Sequence, residues 1–327
     1  MNSNISFTLD YQLKDYFKQL RKYIKESSYY NSTDPILKNK YKKRTDGIKI
    51  GPEIGNSGIN ILEANARKVQ KITKSDYPVT CPLCLNLQTD KSIIPYNNNK
   101  ALLWRSYIIQ PNSFPYFKIH FLIQSSDHDS KLNRGTQSEV HKNPYVIFDI
   151  LDFIRINNKG IILFNGWVGN SLGHLHFHYT ETKFPIEEQI KKYSFTKDTI
   201  VTKNKSHIRL YKDDVNNCKN FVYIKGMNPS EDIFNFLEYL DSNKLFYNLT
   251  ISCDKINCFH VYIFIRVKSN DINNFNFGAS NLSGLSLTTT DQLIMFKNNK
   301  KQFIDMLDTY CSESVIKIDI KALKKLF

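Results

Sequence analysis

The chain has 327 residues, a formal net charge of +14, 41% apolar residues and 13% aromatic residues. That length accommodates two globular units or one enlarged fold, the apolar content excludes wholesale disorder, and no run approaches the roughly 18 uncharged apolar residues of a membrane span. The basic balance suits a polyanionic partner such as nucleotide phosphate. Its lysines are scattered, however, and abundant Asn, Ile, Tyr and Phe alongside them point to A/T-rich codons, so nucleic acid is not the expected partner. Six cysteines are too sparse for a disulfide scaffold. The polar first twenty residues carry no signal-peptide core, which leads to the expectation of a soluble cytoplasmic protein without membrane attachment.

In chain order, Leu13, Phe17, Leu20 and Ile24 recur at helical spacing among lysines and predict an amphipathic helix over residues 10–24. Residues 28–60, rich in Asn, Ser, Gly, Pro and charge, read as an extended arm. Leu102 to Gln110 and Tyr116 to Ile123 are rich in β-formers and flank a Pro111-Asn112-Ser113 turn, which predicts a hairpin. Val146, Ile150, Leu151 and Ile154 form a helical stripe stopped by Asn157-Asn158-Lys159-Gly160, and Ile161 to Phe164 follows as a strand. A second unit begins near Lys191. It has predicted strands at 206–211 and 220–225, a helix opened by Ser230 with Ile233, Phe234, Leu237 and Leu240 on one face, and strands at 247–253 and 259–267.

The chemistry is concentrated in Asn165-Gly166-Trp167-Val168-Gly169-Asn170-Ser171 and the His174-Leu175-His176-Phe177-His178 that follows. In a strand, alternate side chains share a face, so the three imidazoles form a row spaced about 6.5 to 7 Å apart while Leu175, Phe177 and Tyr179 anchor the other face. A neutral imidazole is nucleophilic near pH 7 and forms a covalent phosphoramidate, while flanking imidazoles and the small-residue backbone bind phosphate oxygens. Three alternating strand histidines also suit zinc, the other chemical reading of the same row. The Cys81-Pro82-Leu83-Cys84 turn is half of a zinc site or a pair of packed reduced thiols. Cys218, Cys253, Cys258 and Cys311 show no usable ligand spacing, and His260, a lone strand histidine, reads as structural.

The Asn-Gly turn, the Gly-x-Ser and the His-Leu-His-Phe-His run together resemble the histidine-triad superfamily, particularly its large branch of galactose-1-phosphate uridylyltransferase, diadenosine tetraphosphate phosphorylase and GDP-hexose phosphorylase. Asn65-Ala66-Arg67, the Cys81 to Cys84 turn, the Asn112 to His120 hairpin, Ser126-Asp127-His128, Gln137 and the stretch from Tyr247 to Gly284 extend the likeness over roughly residues 60 to 290. The resemblance implies that His176 becomes nucleotidylated, with His178 and Ser171 assisting and Asn165, Gly169, Ser171 and His178 binding substrate. It further implies a structural zinc on Cys81, Cys84, His128 and His174, no organic cofactor, and a homodimer. Large-branch transferases carry Gln at the third triad position, where this chain has His178. An imidazole there also acts as acid or base, so water becomes a candidate acceptor.

The expected fold is α+β, with two related halves, each an antiparallel sheet with packed helices: an N-terminal helix and arm over 1–60, a catalytic half over 61–190 and a degenerate half over 191–327. The expected function is that of a nucleotidyl transferase or phosphorylase acting on a nucleoside diphosphate-sugar or dinucleoside polyphosphate through a nucleotidyl-histidine. The alternatives are a hydrolase of the same type and a non-catalytic nucleotide- or nucleic-acid-binding protein.

Overall fold

The apolar run Ile161 to Phe164 and its counterpart Leu249 to Ile251 lie at the middle of the molecule, paired with each other. The computed structural model describes residues 5–8, 13–18, 49–53, 60–63, 101–112, 117, 119–126, 140–166, 173–192, 199–211, 221–266, 278–288, 301, 318 and 320–327. Its strands are β1 (Ile5–Thr8), β2 (Lys49–Glu53), β3 (Asn60–Glu63), β4 (Ala101–Trp104), β5 (Tyr107–Pro111), β6 (His120–Ser125), β7 (Ile161–Asn165), β8 (His176–Thr180), β9 (Thr199–Val201), β10 (His207–Tyr211), β11 (Phe221–Gly226), β12 (Phe246–Cys253), β13 (Phe259–Arg266) and β14 (Leu285–Thr288). Its helices are α1 (residues 13–18), α2 (Pro144–Ile156), α3 (Pro185–Lys192), α4 (Ser230–Ser242), α5 (Ala279–Leu282) and α6 (Ile320–Leu326). None of the described helices is long and apolar enough to cross a membrane.

The fold is α+β. Where the sequence leads one to expect a sheet in each half, eleven described strands form one sheet in the order β1-β4-β5-β6-β8-β7-β12-β13-β11-β10-β9. The physical reason is the edge. β7 and β12 are apolar strands without charge, and they pair antiparallel from Asn165↔Asn248 to Ile161↔Ser252, so neither leaves unpaired backbone groups to solvent. Outward from this pair the order is β8, β6, β5, β4 on one side and β13, β11, β10, β9 on the other, and along the chain α2 lies between β6 and β7 as α4 lies between β11 and β12. Only β1 joins in parallel, on β4. A smaller sheet runs β14-β3-β2, so the expected arm contributes β2 and the first residue of β3.

α2 and α4 cover one face. α2 buries Val146, Ile147, Ile150, Leu151, Phe153 and Ile154, and α4 buries Ile233, Phe236, Leu237 and Leu240. They pack on Phe121, Phe164, Phe177, Tyr179, Ile251 and Val261 from the sheet, and each such side chain contributes about 1.5–3 kcal/mol by leaving water. α1 adds Leu13, Tyr16 and Phe17, the last 5.0 Å from Phe121 and 5.1 Å from Tyr179 between ring centroids.

Three local readings change. The single strand expected over Leu102–Gln110 is a hairpin, β4 and β5, turning at Arg105 and Ser106. Arg105 adopts φ 53°, a left-handed conformation unfavourable to side chains, and it is held there by Asp149 at 2.6 Å, Asp152 at 2.7 Å and the Trp104 ring at 4.6 Å. The second hairpin strand is β6 from His120, with Ile119 before it in a bend, and Tyr116 lies outside the described residues. On α4 the N-cap is Pro229 with no side-chain cap, and Phe236 replaces Phe234 on the buried face, because Ile233, Phe236, Leu237 and Leu240 fall on one i, i+3, i+4, i+7 stripe and Phe234 does not.

Candidate active site

β8 is the first strand outward from the central pair, held between β6 and β7. Phe177 and Tyr179 are wholly buried on the helix side, with Phe177 4.9 Å from Phe164 and Tyr179 5.6 Å from Phe153. Alternation then sends His176, His178 and Thr180 to the face opposite α2 and α4. His176 and His178 lie 5.3 Å apart between ring centroids, edge to face at 73°, closer than the spacing expected of a flat strand.

The row contains different members from those expected. β8 starts at His176, and His174 lies before it, turned so that its Nε2 is 2.9 Å from the Ser125 carbonyl and 3.1 Å from Ser125 Oγ. In its place His120 of β6 completes the imidazole cluster, with its Nε2 3.0 Å from His178 Nδ1 and its ring 5.2 Å from that of His178. Asn112 contributes Nδ2 at 3.1 Å from His120 Nε2, and the hairpin holds both residues together through Asn112 N–H donating to the His120 carbonyl at 2.9 Å. The ring nitrogens of His174, His176 and His178 do not gather within the 4.8 Å that one ion requires, which disfavours the reading of the row as a zinc site.

A hydrogen bond sets the tautomer of His176. Its Nδ1 is 2.7 Å from the His174 carbonyl; a carbonyl only accepts, so Nδ1 carries the proton and the neutral ring has its lone pair on Nε2. His120 Nε2 lies 3.1 Å from Asn112 Nδ2 and 3.0 Å from His178 Nδ1; an imidazole nitrogen has one lone pair, so it serves one of these two contacts at a time. His176 is buried, at 4% exposure, and a nucleophile positioned by the backbone does not depend on side-chain rearrangement.

Loss of solvent, with the neighbouring His120 and His176 rings adding to it, holds the His178 pKa well below the ordinary imidazole value. The unfolded chain titrates near 6.5, so between the two values the unfolded state binds a proton that the folded state refuses. Stability due to neutral His178 is therefore fully present above about pH 6.5 and is lost as pH falls through the folded pKa. Urea midpoints measured from about pH 7.5 to about pH 5 are expected to fall in the wild type and to fall less in His178→Gln. Parallel curves would count against the assignment.

Asn165, at the end of β7, accepts the Ala279 N–H on Oδ1 at 2.6 Å, and a Cβ on Gly278 would come within 2.9 Å of it, so its amide closes the start of α5. Next to it Gly166 donates to Asn248 Oδ1 at 3.1 Å, and a Cβ there would meet the Tyr247 carbonyl at 2.2 Å, which only glycine avoids. Gly169, Ser171, Cys81, Cys84 and His128 lie outside the described residues. His120 and Asn112 are the site members that residue-by-residue reading passed over. Their signal was the likeness of the hairpin carrying them, not any spacing to the triad.

No family model matches the chain, and no curated protein matches it. Among solved structures it is similar to yeast Ap4A phosphorylase Apa2. The crystal structure of that enzyme in complex with Ap4A matches with TM-score 0.42 and 14% identity, over 63% of this chain and 73% of that one. A second crystal structure of the enzyme gives TM-score 0.46 and 12% identity over 84% and 94% of the two chains. The complex with AMP gives TM-score 0.45 and 13% identity over 87% and 96%.

Proposed function

We propose that this chain is a histidine-triad enzyme that transfers a nucleotidyl group through His176. The observation that carries the reading is the His174 carbonyl bound to His176 Nδ1, which commits the lone pair to Nε2 on a strand whose other face is locked in the core. Nε2 attacks the α-phosphorus of a nucleoside diphosphate-sugar or dinucleoside polyphosphate, and the bond to the bridging oxygen breaks, with the electron pair leaving on the departing phosphate. An acceptor oxygen then attacks the same phosphorus, the P–N bond breaks and its electrons return to Nε2. Gly169 and Ser171 are assigned to the phosphate oxygens, and Asn165 to the positioning of the turn that carries them.

Inorganic phosphate is the acceptor of the leading reading. Water is that of the second, which one observation favours: burial holds His178 neutral, the state a general base requires. The Cys81, Cys84, His128 and His174 set is proposed as a structural zinc site that fastens the cysteine turn to the start of β8. His174, the described member, gives its Nε2 proton to a carbonyl and so offers Nδ1, the usual arrangement of a metal-bound imidazole. The matching strand order on either side of β7 and β12 supports two related halves, the first carrying the chemistry. A cytoplasmic homodimer with no organic cofactor completes the proposal.

The test is to incubate the protein with α-labelled nucleotide substrates and isolate it under alkaline denaturing conditions. An acid-labile label on His176 is expected, released by phosphate as a nucleoside diphosphate or by water as a monophosphate. No adduct with any dinucleoside polyphosphate or nucleotide-sugar would instead favour a binding protein that retained the fold.

A further inference from the structure

The sheet face opposite α2 and α4 opens over β10, β11 and β13 into a cleft of about 810 Å³, lined in part by Glu187 of α3 and by Arg209, Tyr223, Lys225, Cys258 and His260; neither His176 nor His178 borders it. At its edge the β12–β13 hairpin reverses through Asp254 to Cys258. Asp254 N–H donates to the Cys258 carbonyl at 3.0 Å, and Asn257 takes φ 61° to make the return. Asp254 Oδ1 accepts from Ile256 N–H at 3.0 Å and from Cys258 N–H at 2.9 Å. One carboxylate oxygen thus shapes the turn, while the other, Oδ2, lies 3.4 Å from His260 Nε2.

Cys258 and His260 stand two residues apart at the entry to β13, so their side chains project from the same face. Sγ of Cys258, the Asp254 carboxylate and a His260 ring nitrogen all lie within 4.8 Å of one another, the one such set among the described residues. No member of this set stands out in the sequence: His260 is a lone strand histidine, and the cysteine that precedes Cys258 in the hairpin, Cys253, is not part of the set; the hairpin brings Asp254, Cys258 and His260 to one point.

We infer that Asp254, Cys258 and His260 form a zinc site with three protein ligands and a fourth position open to the cleft. A thiolate, an imidazole and a carboxylate are the donors that suit zinc, whereas magnesium and calcium take oxygen alone. Bonds of about 2.0–2.3 Å in a tetrahedron set ligands about 3.3–3.8 Å apart. The Asp254–His260 separation of 3.4 Å already meets that, and the partly exposed side chains of both residues, at 36% and 23%, leave room for the remaining closure. The outer contact is also in place: Tyr223 Oη lies 2.6 Å from His260 Nδ1, so a proton on Nδ1 donated to the phenol oxygen turns Nε2 into the ligand atom. Two anionic donors balance the dication despite Lys225, which faces His260 across the β11–β13 ladder. This site is independent of the Cys81 turn and of the reaction at His176.

The full chain carrying Cys81→Ser and Cys84→Ser, stripped of metal with a chelator and titrated with cobalt(II), tests the inference. One equivalent is expected to bind with the near-ultraviolet thiolate-to-cobalt band and the visible bands of tetrahedral cobalt, and to be displaced by zinc. Adding Cys258→Ser should abolish the thiolate band, and His260→Ala or Asp254→Asn should weaken binding by about 10-fold or more. A folded protein, judged by circular dichroism, that shows no thiolate band, or a band that survives Cys258→Ser, overturns the site. If the double-serine background does not fold, the same titration is run on the otherwise unaltered chain. Cys258→Ser must then lower the equivalents bound by one, and unchanged stoichiometry overturns the inference equally.

Discussion

Replacing His176 by Ala is expected to lower turnover by about 10⁴-fold or more, because the covalent route loses the only atom that forms the P–N bond. The adduct should vanish with it. The fold should survive: His176 is buried but lies on the face opposite α2 and α4, and its Nδ1 bonds a carbonyl two residues away in the same chain segment. Loss of that ring should cost about 1–2 kcal/mol of stability. Single-turnover kinetics with the best substrate from the labelling screen, alongside circular dichroism and urea unfolding, separates the two effects. Turnover within tenfold of wild type in the folded variant would remove His176 from the role of nucleophile.

One residue further along, Phe177→Ala should do the reverse. Its ring is wholly buried and packs 4.9 Å from Phe164 in the layer between sheet and helices, so truncation leaves a cavity that the surrounding strands fill only in part. The expected loss is about 3–5 kcal/mol, read as a lower urea midpoint with an unchanged slope. Whatever fraction remains folded should still form the His176 adduct, since the imidazole face is untouched. Neighbouring positions on one strand thus divide cleanly into a stability effect and a chemical effect. A variant at Phe177 that unfolds no more readily than wild type would show that β8 is not packed as described.

This division was legible in the sequence because it depends on alternation alone. So were α2, from Val146, Ile150, Leu151 and Ile154, and its stop at Asn157, where the observed C-cap lies. What the sequence hid depends on residues distant along the chain. Arg105 looks like the middle of a strand, and only the two carboxylates of α2, 44 and 47 residues away, make its left-handed turn affordable. His120 meets His178 across 58 residues, so no local pattern announces it. His174 looked like an equal member of the row, yet it precedes the β8 ladder and bonds to Ser125 instead. Periodicity reports which face a residue occupies; it does not report where a ladder begins or which partner arrives from another hairpin.

The pairing of β7 with β12 bears on why strands β9 to β13 persist without an imidazole row of their own. Cut the chain between β8 and β9 and let the pieces separate, and the first piece would be left with Ile161 to Asn165 as a bare, uncharged border one strand from His176. Such a border recruits other chains. The second piece would carry the same hazard along β12. Each run of strands therefore acts as the other's guard against self-association, a duty that needs no catalysis.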